Sequence, residues 1–385
     1  MVGGESQLSA RTVTAVAGGQ ASESRKPAPA RLISLDAFRG LTVASMMLVN
    51  NAGNWKHVYA PLRHAEWHGW TFTDTVFPFF LWISGAALTF SLAKRRESGA
   101  TRGPLVRHAV RRAAVIFLLG LMLNGFPFYE LRTIRIPGVL QRIAVCYLAS
   151  AVIFLFTSWR TQVGLTSGLL IVYWALMSFV PVPGGMAGVL DKEGNLAQYL
   201  DQRLLSGHLY AVTKTWDPEG ILSTLPAIST MLFGVLTGHW IRSASGPMEK
   251  TVWLFVGGNF LMFLGVWWDN SFPINKNLWT SSYALLMAGM AAVVFASIYW
   301  FVDVLGWKKW ARPLVIYGSN PIAVYVLAGI FARLEGFWKL RDPIDRALNE
   351  IASPKNASLL HAVGYVLLMY VVAWGLARKG WFLRV

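Results

Sequence analysis

Cysteine, charge and acidic side chains are all scarce in this 385-residue sequence. The single cysteine, Cys146, excludes an intrachain disulfide and a cysteine-rich metal site. It lies in an apolar run, where a thiol packs as a small hydrophobe; a nucleophilic thiolate would need nearby positive charge and exposure. Only 14% of the residues are charged, against about 25% in a soluble domain. Acidic residues number 19 against 35 Lys and Arg, giving a net charge of +16. That surplus would fit nucleic acid if it formed one patch. Here the basic residues fall in short loops between apolar runs, which is a topology signal and argues against nucleic acid as a partner. The first 30 residues, rich in Ser, Ala and Gly, lack an apolar core segment and so do not read as a signal peptide. No sequence repeat of the kind found in duplicated transporters is evident.

What is abundant is apolar: 55% of the residues are hydrophobic, and 18 Trp suit interfacial belts. A spanning helix needs about 20 mostly apolar residues. Ten runs qualify, at roughly 35–53, 72–93, 105–125, 138–157, 162–181, 219–241, 251–267, 278–302, 313–332 and 359–377. The expected fold is all-α, a polytopic membrane bundle of about ten helices. Residues 1–30 would form a disordered cytoplasmic tail and 31–385 one transmembrane domain. With both termini in the cytoplasm, that side carries about 21 of the basic residues and the far side about 14. Acidic residues gather on the far side, among them Glu66, Asp201, Asp217 and Glu219. The segment from Arg63 to Trp70 then faces the periplasm or exterior.

That segment concentrates chemistry. Asn50 ends the first helix, His64 sits in the short connection, and Asp74 starts the second helix. Histidine can accept a proton near neutral pH. An Asp can orient its ring and an Asn can donate to a developing oxyanion. The plainer reading makes His64 interfacial and Asp74 a helix-terminal carboxylate. His64 and His68 would share a face of a helix and hold zinc, but the spacing departs from His-Glu-x-x-His and Gly69 disfavours a helix, so no metal is expected.

Other polar groups carry two readings each. Arg135 and Arg142 need an anionic partner if buried, or snorkel to the interface. Asp217 and Glu219 begin the sixth span, as ordinary caps or as partners of a cation. The loop holding Asn275, Lys276, Asn277 and Trp279 is a turn, or a reader of sugar hydroxyls. Asn320-Pro321 inside the ninth span reads as a kink.

Taken in order, the segments SLDAFRGLTV (34–43), HAEWHGWTFTDTVFPFF (64–80), RIPGVLQRIAVCY (135–147), WDPEGILSTLP (216–226) and INKNLWTSSY (274–283) resemble the heparan-α-glucosaminide N-acetyltransferase family and its bacterial relatives. GWFLRV (380–385) is typical of bacterial members. The family's large lumenal domain before the first helix has no counterpart expected here, and Glu66 and His68 stand where the animal enzymes have uncharged residues. The resemblance implies an acyltransferase of the cytoplasmic (inner) membrane that moves acetyl from cytoplasmic acetyl-CoA to the amine of a terminal glucosamine on the far side. It carries a catalytic role to His64, with Asn50 as partner near the acetyl group. Site roles extend to Asp74, Arg135, Arg142, Asp217, Glu219, Asn275, Lys276, Asn277 and Trp279. The relatives point to a homodimer.

On this scheme Arg39, Arg95, Arg96, Arg111 and Arg112 hold the phosphates of acetyl-CoA, with Arg135 and Arg142 as further cofactor contacts. Glu66, Asp217 and Glu219 face the amine. His64 acts as general base or as a covalent acetyl carrier. An amino-sugar transporter and an O-acetyltransferase of envelope polysaccharide are the competing functions; acetyl-CoA separates the first, a neutral hydroxyl acceptor the second.

Overall fold

The structure, a computed structural model, describes residues 32–382; the expected tail at 1–30 lies outside them. Among the described residues there are thirteen α-helices and no β-strand. In chain order they are α1 Ile33–Asn50, α2 Phe72–Glu97, α3 Arg102–Gly125, α4 Val139–Phe156, α5 Trp159–Phe179, α6 Leu196–Leu205, α7 Thr224–Ile241, α8 Pro247–Asp269, α9 Ser281–Tyr299, α10 Arg312–Ser319, α11 Pro321–Phe337, α12 Arg341–Ile351 and α13 Pro354–Arg378. Helices are the expected solution, because an apolar segment in lipid must satisfy its own backbone hydrogen bonds.

Each of the ten expected spans coincides with helix, but they are not equally apolar. Seven helices (α2, α4, α5, α7, α8, α9 with its π-helical extension to Val304, and α13) are long and apolar enough to cross a membrane. An eighth apolar stretch is sharply bent: α10 and α11 meet at 78° across Asn320. Pro321 is the cause, since it lacks the N–H that would continue α10 and instead opens α11. The sequence reading of a kink there is met by a full break. The helices α1 and α3 are more polar, carrying Asp36 and Arg39 in one case and Arg107, Arg111 and Arg112 in the other.

The centre of the bundle is α2, α7 and α9. Along α2 and α7 the backbones nearly touch. A Cβ on Gly85 would lie 2.0 Å from the Met231 carbonyl oxygen, and one on Gly234 would lie 1.8 Å from that of Trp82. Small residues permit this approach, which is how membrane helices gain packing energy where burial from water gives little. By contrast α5, α8 and α13 turn mostly outward, with Trp253, Phe260, Phe263 and Trp267 of α8 exposed as a lipid-facing surface.

The candidate site residues fall at two ends of the bundle. At one, the connection from α1 to α2 carries His64. At the other stand Arg39 near the start of α1, Arg95 near the end of α2 and Arg112 in the first half of α3.

Candidate active site

The loop from Asn51 to Thr71 is fixed by the first turn of α2. Thr71 caps the helix, and Asp74 returns a bond to the cap from Oδ2, accepting from the Thr71 N–H at 3.0 Å. The same oxygen accepts from the Ala65 N–H at 3.0 Å. The other oxygen, Oδ1, stands 2.5 Å from Nδ1 of His64. Both sequence readings of Asp74 therefore hold at once: one oxygen caps the helix and the other takes the imidazole. Asp74 is buried to 1% exposure while His64 is half exposed, at 49%. A carboxylate accepts, so Nδ1 is the donor of this bond, and in the neutral ring Nε2 carries the lone pair.

Asn50 is exposed at the end of α1 and makes no hydrogen bond to His64 or Asp74. Glu66 and His68 are also exposed. His64 and His68 sit in a loop, with Gly69 at φ +88°, and among the described residues no group of three or more His, Cys, Asp or Glu is placed to hold a metal ion.

The second loop, 274–280, docks on the first. The Gly69 N–H donates to the Ile274 carbonyl at 2.7 Å, and Asn275 Nδ2 lies 3.4 Å from Nδ1 of His68. Asn275 is buried and accepts from the Leu278 N–H. Trp279 is fully buried, donating from Nε1 to Thr230 and packed edge-on to Phe77 and Tyr283. Tyr283 donates its hydroxyl to the Asp74 carbonyl at 2.6 Å. Lys276 and Asn277 are partly exposed. Asn275 and Trp279 thus anchor the loop that docks on Gly69 and His68, and Lys276 and Asn277 are its partly exposed members.

Next to it stands a buried ionic group. Arg135 reaches Asp217 with Nε at 2.8 Å and Nη2 at 2.5 Å, and Glu219 with Nη2 at 2.5 Å. Its guanidinium lies 4.4 Å from the centre of the Tyr210 ring. Of the two sequence readings of Asp217 and Glu219, helix caps or partners of a cation, the first fails because α7 begins only at Thr224, and the cation they meet is Arg135. The guanidinium outcompetes the helix end for both carboxylates, because a buried charge without a partner is far costlier than an open cap. Burial pushes the Glu219 carboxyl up, but the charges of Arg135, Lys276 and Arg142 outweigh it and hold it below the usual range. Arg142, in the first turn of α4, donates to the Gly220 carbonyl at 2.9 Å and to Ser223 at 2.5 Å, and lies 5.1 Å from the centre of the Trp279 ring. Of the two sequence readings for these arginines, burial with a partner is the observed one.

At the opposite end, a cavity of about 360 Å³ is lined by Arg39, Arg95, His108 and Arg112 together with Ser84, Ser91 and Ser319. Arg112 lies 4.7 Å from the centre of the Tyr147 ring, and its Nε is buried with no hydrogen-bond partner. Arg96 and Arg111 are exposed and outside this lining, and Arg135 and Arg142 belong to the acidic group near Lys276. Phe80, Ile116, Ile143 and Ile322 give the cavity apolar walls. Phe80 follows Asp74 by six residues, about 9 Å of helix rise. Neither His64 nor Asp74 lines the cavity.

Residues 31–274 match the family described as heparan-alpha-glucosaminide N-acetyltransferase, catalytic. The chain belongs to that family. It is 30% identical to the human heparan-alpha-glucosaminide N-acetyltransferase over 403 aligned positions, covering 90% of this chain and 60% of that protein. The mouse enzyme of the same name is 29% identical, covering 91% and 61%. The chain therefore spans about three-fifths of the length of these relatives.

For a member of the acetyltransferase family, two site residues were not singled out from sequence. Asp201 on the short helix α6 accepts from the Ile221 N–H at 2.9 Å and the Asp217 N–H at 3.3 Å. It is packed so closely that a Cβ on Gly220 would fall 2.1 Å from its Oδ2. Burial pushes its carboxyl up to about 6, against the two backbone bonds that favour its charge. His108 joins the basic cavity. Its spacing from Arg112, four residues along α3, places both on one helix face and was the available signal.

Proposed function

We propose that this protein transfers acetyl from acetyl-CoA to the amine of a terminal glucosamine or similar amino sugar, with the donor entering from the cytoplasmic side and the acceptor from the other. The observation that carries the reading is the pairing of His64 with the buried Asp74 at one end of a bundle whose other end opens into an arginine-lined cavity. Family membership supports the acyl-transfer class.

The donor cavity fits the chemistry of CoA. Arg39, Arg95, Arg112 and His108 match phosphate groups, and the unpartnered Nε of Arg112 is a donor in want of an acceptor. The apolar walls at Phe80, Ile143 and Ile322 suit the pantetheine arm, which points the thioester toward the first turn of α2. The remaining length of α2 holds Phe77, packed on Trp279, so that pair must yield as the acetyl group arrives.

At His64, Asp74 holds the Nδ1 proton and leaves Nε2 as the base. The sugar ammonium first releases one proton to water, and Nε2 takes a second from the neutral amine as it attacks. The amine nitrogen then bonds to the acetyl carbon, the carbonyl becomes an oxyanion, and the carbon–sulfur bond breaks as the oxyanion collapses. The imidazolium returns its proton to the departing thiolate. Asn50 at the end of α1 and the donors of the 274–280 loop, which docks on the His64 loop at Gly69, are the groups assigned to meet the oxyanion. Since Asp217 and Glu219 are both engaged by Arg135 and buried, the exposed Glu66 is the carboxylate left for the incoming ammonium.

The test uses protein in proteoliposomes, labelled acetyl-CoA on the basic side, and a panel of glucosamine-terminated and neutral glycans. The expected product is an N-acetylated sugar. Acetyl found only on hydroxyl groups, or solute movement with no acetyl-CoA consumed, would overturn the assignment in favour of an O-acetyltransferase or a transporter.

A further inference from the structure

A second cavity, of about 440 Å³, lies where the end of α3, the loop after it and residues 209–211 meet α11. Gly125 in its wall follows Arg112 of the basic cavity by thirteen residues of α3, about 20 Å of helix rise. Arg333 in its wall follows Ile322 by eleven residues of α11, about 17 Å. Two helices thus carry it to the end of the bundle opposite the basic cavity, where His64 stands. One wall is shared with the candidate active site. Arg135 lines the cavity and also holds Asp217 and Glu219. Trp216, next in the chain to Asp217, meets Trp67 of the His64 loop edge-on with ring centres 5.2 Å apart. The two strips of chain at the mouth are pinned together, since the Ile136 N–H donates to the His208 carbonyl at 3.0 Å and His208 Nδ1 lies 2.8 Å from the Ile134 carbonyl oxygen.

Its lining combines aromatic rings with charge: Tyr129, Glu130, Thr133, Arg135, Tyr210 and Arg333. Arg135 is committed to two carboxylates. Arg333 is not. Its one hydrogen bond runs from Nη1 to the Gly329 carbonyl at 3.1 Å, a turn earlier in its own helix, and it pairs with no carboxylate among the described residues. Its Nε and Nη2 make no bond, yet they are not sealed in the interior, so the cavity reaches them. A guanidinium carries five N–H donors in a planar fork, and such a fork matches an anionic oxygen pair. Glu130 does not supply one: it is exposed and accepts from the Thr133 hydroxyl at 3.3 Å. Tyr129 stands at φ +51°, a region that a bulky residue seldom takes. That turn lays its ring over Gly125, where a Cβ would fall 2.7 Å from Tyr129 Cδ1. Backbone held this way gathers at ligand sites.

We infer that this cavity is a second acceptor subsite, which takes the unit bonded to the terminal amino sugar and reads an anionic group on it through Arg333. The volume falls within the range of small-molecule sites, about 300–1,000 Å³. The anion is a carboxylate or a phosphate ester, met by the free Nε and Nη2 of Arg333. Tyr129 offers an apolar ring face to the sugar, and Glu130 and Thr133 offer oxygens to its hydroxyls. Arg333 is thereby a specificity residue, and it touches neither His64 nor the donor cavity. The inference rests on the acetyl-transfer reading and names the kind of acceptor that the site prefers.

The test compares kcat/KM of the full-length protein for four acceptors: methyl glucosaminide, and glucosamine linked to a neutral hexose, to glucuronate or to a phosphate ester. One of the two anionic acceptors is expected to exceed the neutral disaccharide about tenfold, the scale of one charge-assisted hydrogen bond, and which one does so identifies the anion. Arg333→Gln should bring that acceptor within about twofold of the neutral disaccharide, and Arg333→Lys should restore part of the preference. Ala211→Trp, at an exposed position in the cavity wall, should lower transfer to every linked acceptor relative to methyl glucosaminide. Equal use of neutral and anionic acceptors, or a preference that survives Arg333→Gln, would overturn the inference. If no acetyl is moved to any of the four, the acetyl-transfer reading fails, and the subsite is still judged by binding. The same sugars without acetyl-CoA should then raise the thermal unfolding midpoint most for an anionic one, and Arg333→Gln should abolish that difference. Equal shifts for all four would overturn it.

Discussion

His64 Nδ1 and Asp74 Oδ1 are 2.5 Å apart, and the partner oxygen of Asp74 is already committed to the backbone of Thr71 and Ala65. The carboxylate cannot swing away without uncapping α2, so it holds the ring in one tautomer. His64→Ala is expected to lower acetyl transfer by about 10²–10⁴-fold, the usual worth of a general base. Asp74→Asn should lower kcat, because an amide no longer enforces a protonated Nδ1. Steady-state acetyl-CoA consumption checks both, with CoA-dependent thermal stabilisation retained in each. Full turnover by His64→Ala would end the proposed role.

In the basic cavity, Arg112→Ala is expected to raise the KM for acetyl-CoA about tenfold or more, the scale of a lost charge-assisted bond, with a smaller change in kcat. Arg111→Ala, on the exposed side of the same helix, should change KM little. Initial rates over a range of acetyl-CoA separate the two. Equal effects would mean that the arginines act only through their summed field.

Removing Arg135 leaves two buried carboxylates unpaired. Arg135→Ala should destabilise the protein by about 3–5 kcal/mol, and adding Asp217→Asn with Glu219→Gln should recover part of it. Unfolding in detergent gives the comparison. A triple variant no more stable than the single one would show that the ion group is not the source of the loss.

Asp201 carries a pH signature. Its folded-state carboxyl titrates near 6, above its ordinary value of 3.8, because it is buried. The fold therefore takes up a proton there, and the associated stability is present below about 4 and lost as pH rises through about 6. Relative to Asp201→Asn, the wild-type protein should gain stability as pH falls from 7 to 4. Parallel unfolding midpoints over that range would count against it.

Close packing of α2 on α7 gives a final expectation. Gly234→Val should prevent the bundle from assembling, since its side chain would overlap the Trp82 carbonyl. Gly257→Val on the open face of α8 should be tolerated, a Cβ there meeting nothing within 4 Å. Size-exclusion behaviour after extraction distinguishes them.

Much of this molecule could be read before its structure. Long apolar runs are local signals, so helices stand where ten were expected, and Asn320-Pro321 marked its break through the missing proline N–H. His64 and Asp74 were legible as a pair because ten residues join them. Longer-range matters were not. Nothing near Asp217 in the chain reveals Arg135, 82 residues away, so local capping chemistry was the natural reading. Asp201 looked like one more acidic residue on a polar loop. The helices α6 and α12 escaped because neither is apolar enough to register as a span. Which of five arginines line a cavity depends on how α1, α2 and α3 turn against one another, and sequence does not fix that rotation.

The break at Asn320 also shapes the basic cavity. Because α10 stops there, α11 starts at the cavity wall, with Pro321 and Ile322 in its lining. The first turn of a helix has main-chain N–H groups without partners and a partial positive charge. Phosphate held there would owe part of its affinity to backbone that no side-chain substitution removes, so loss of a single guanidinium should weaken donor capture without abolishing it.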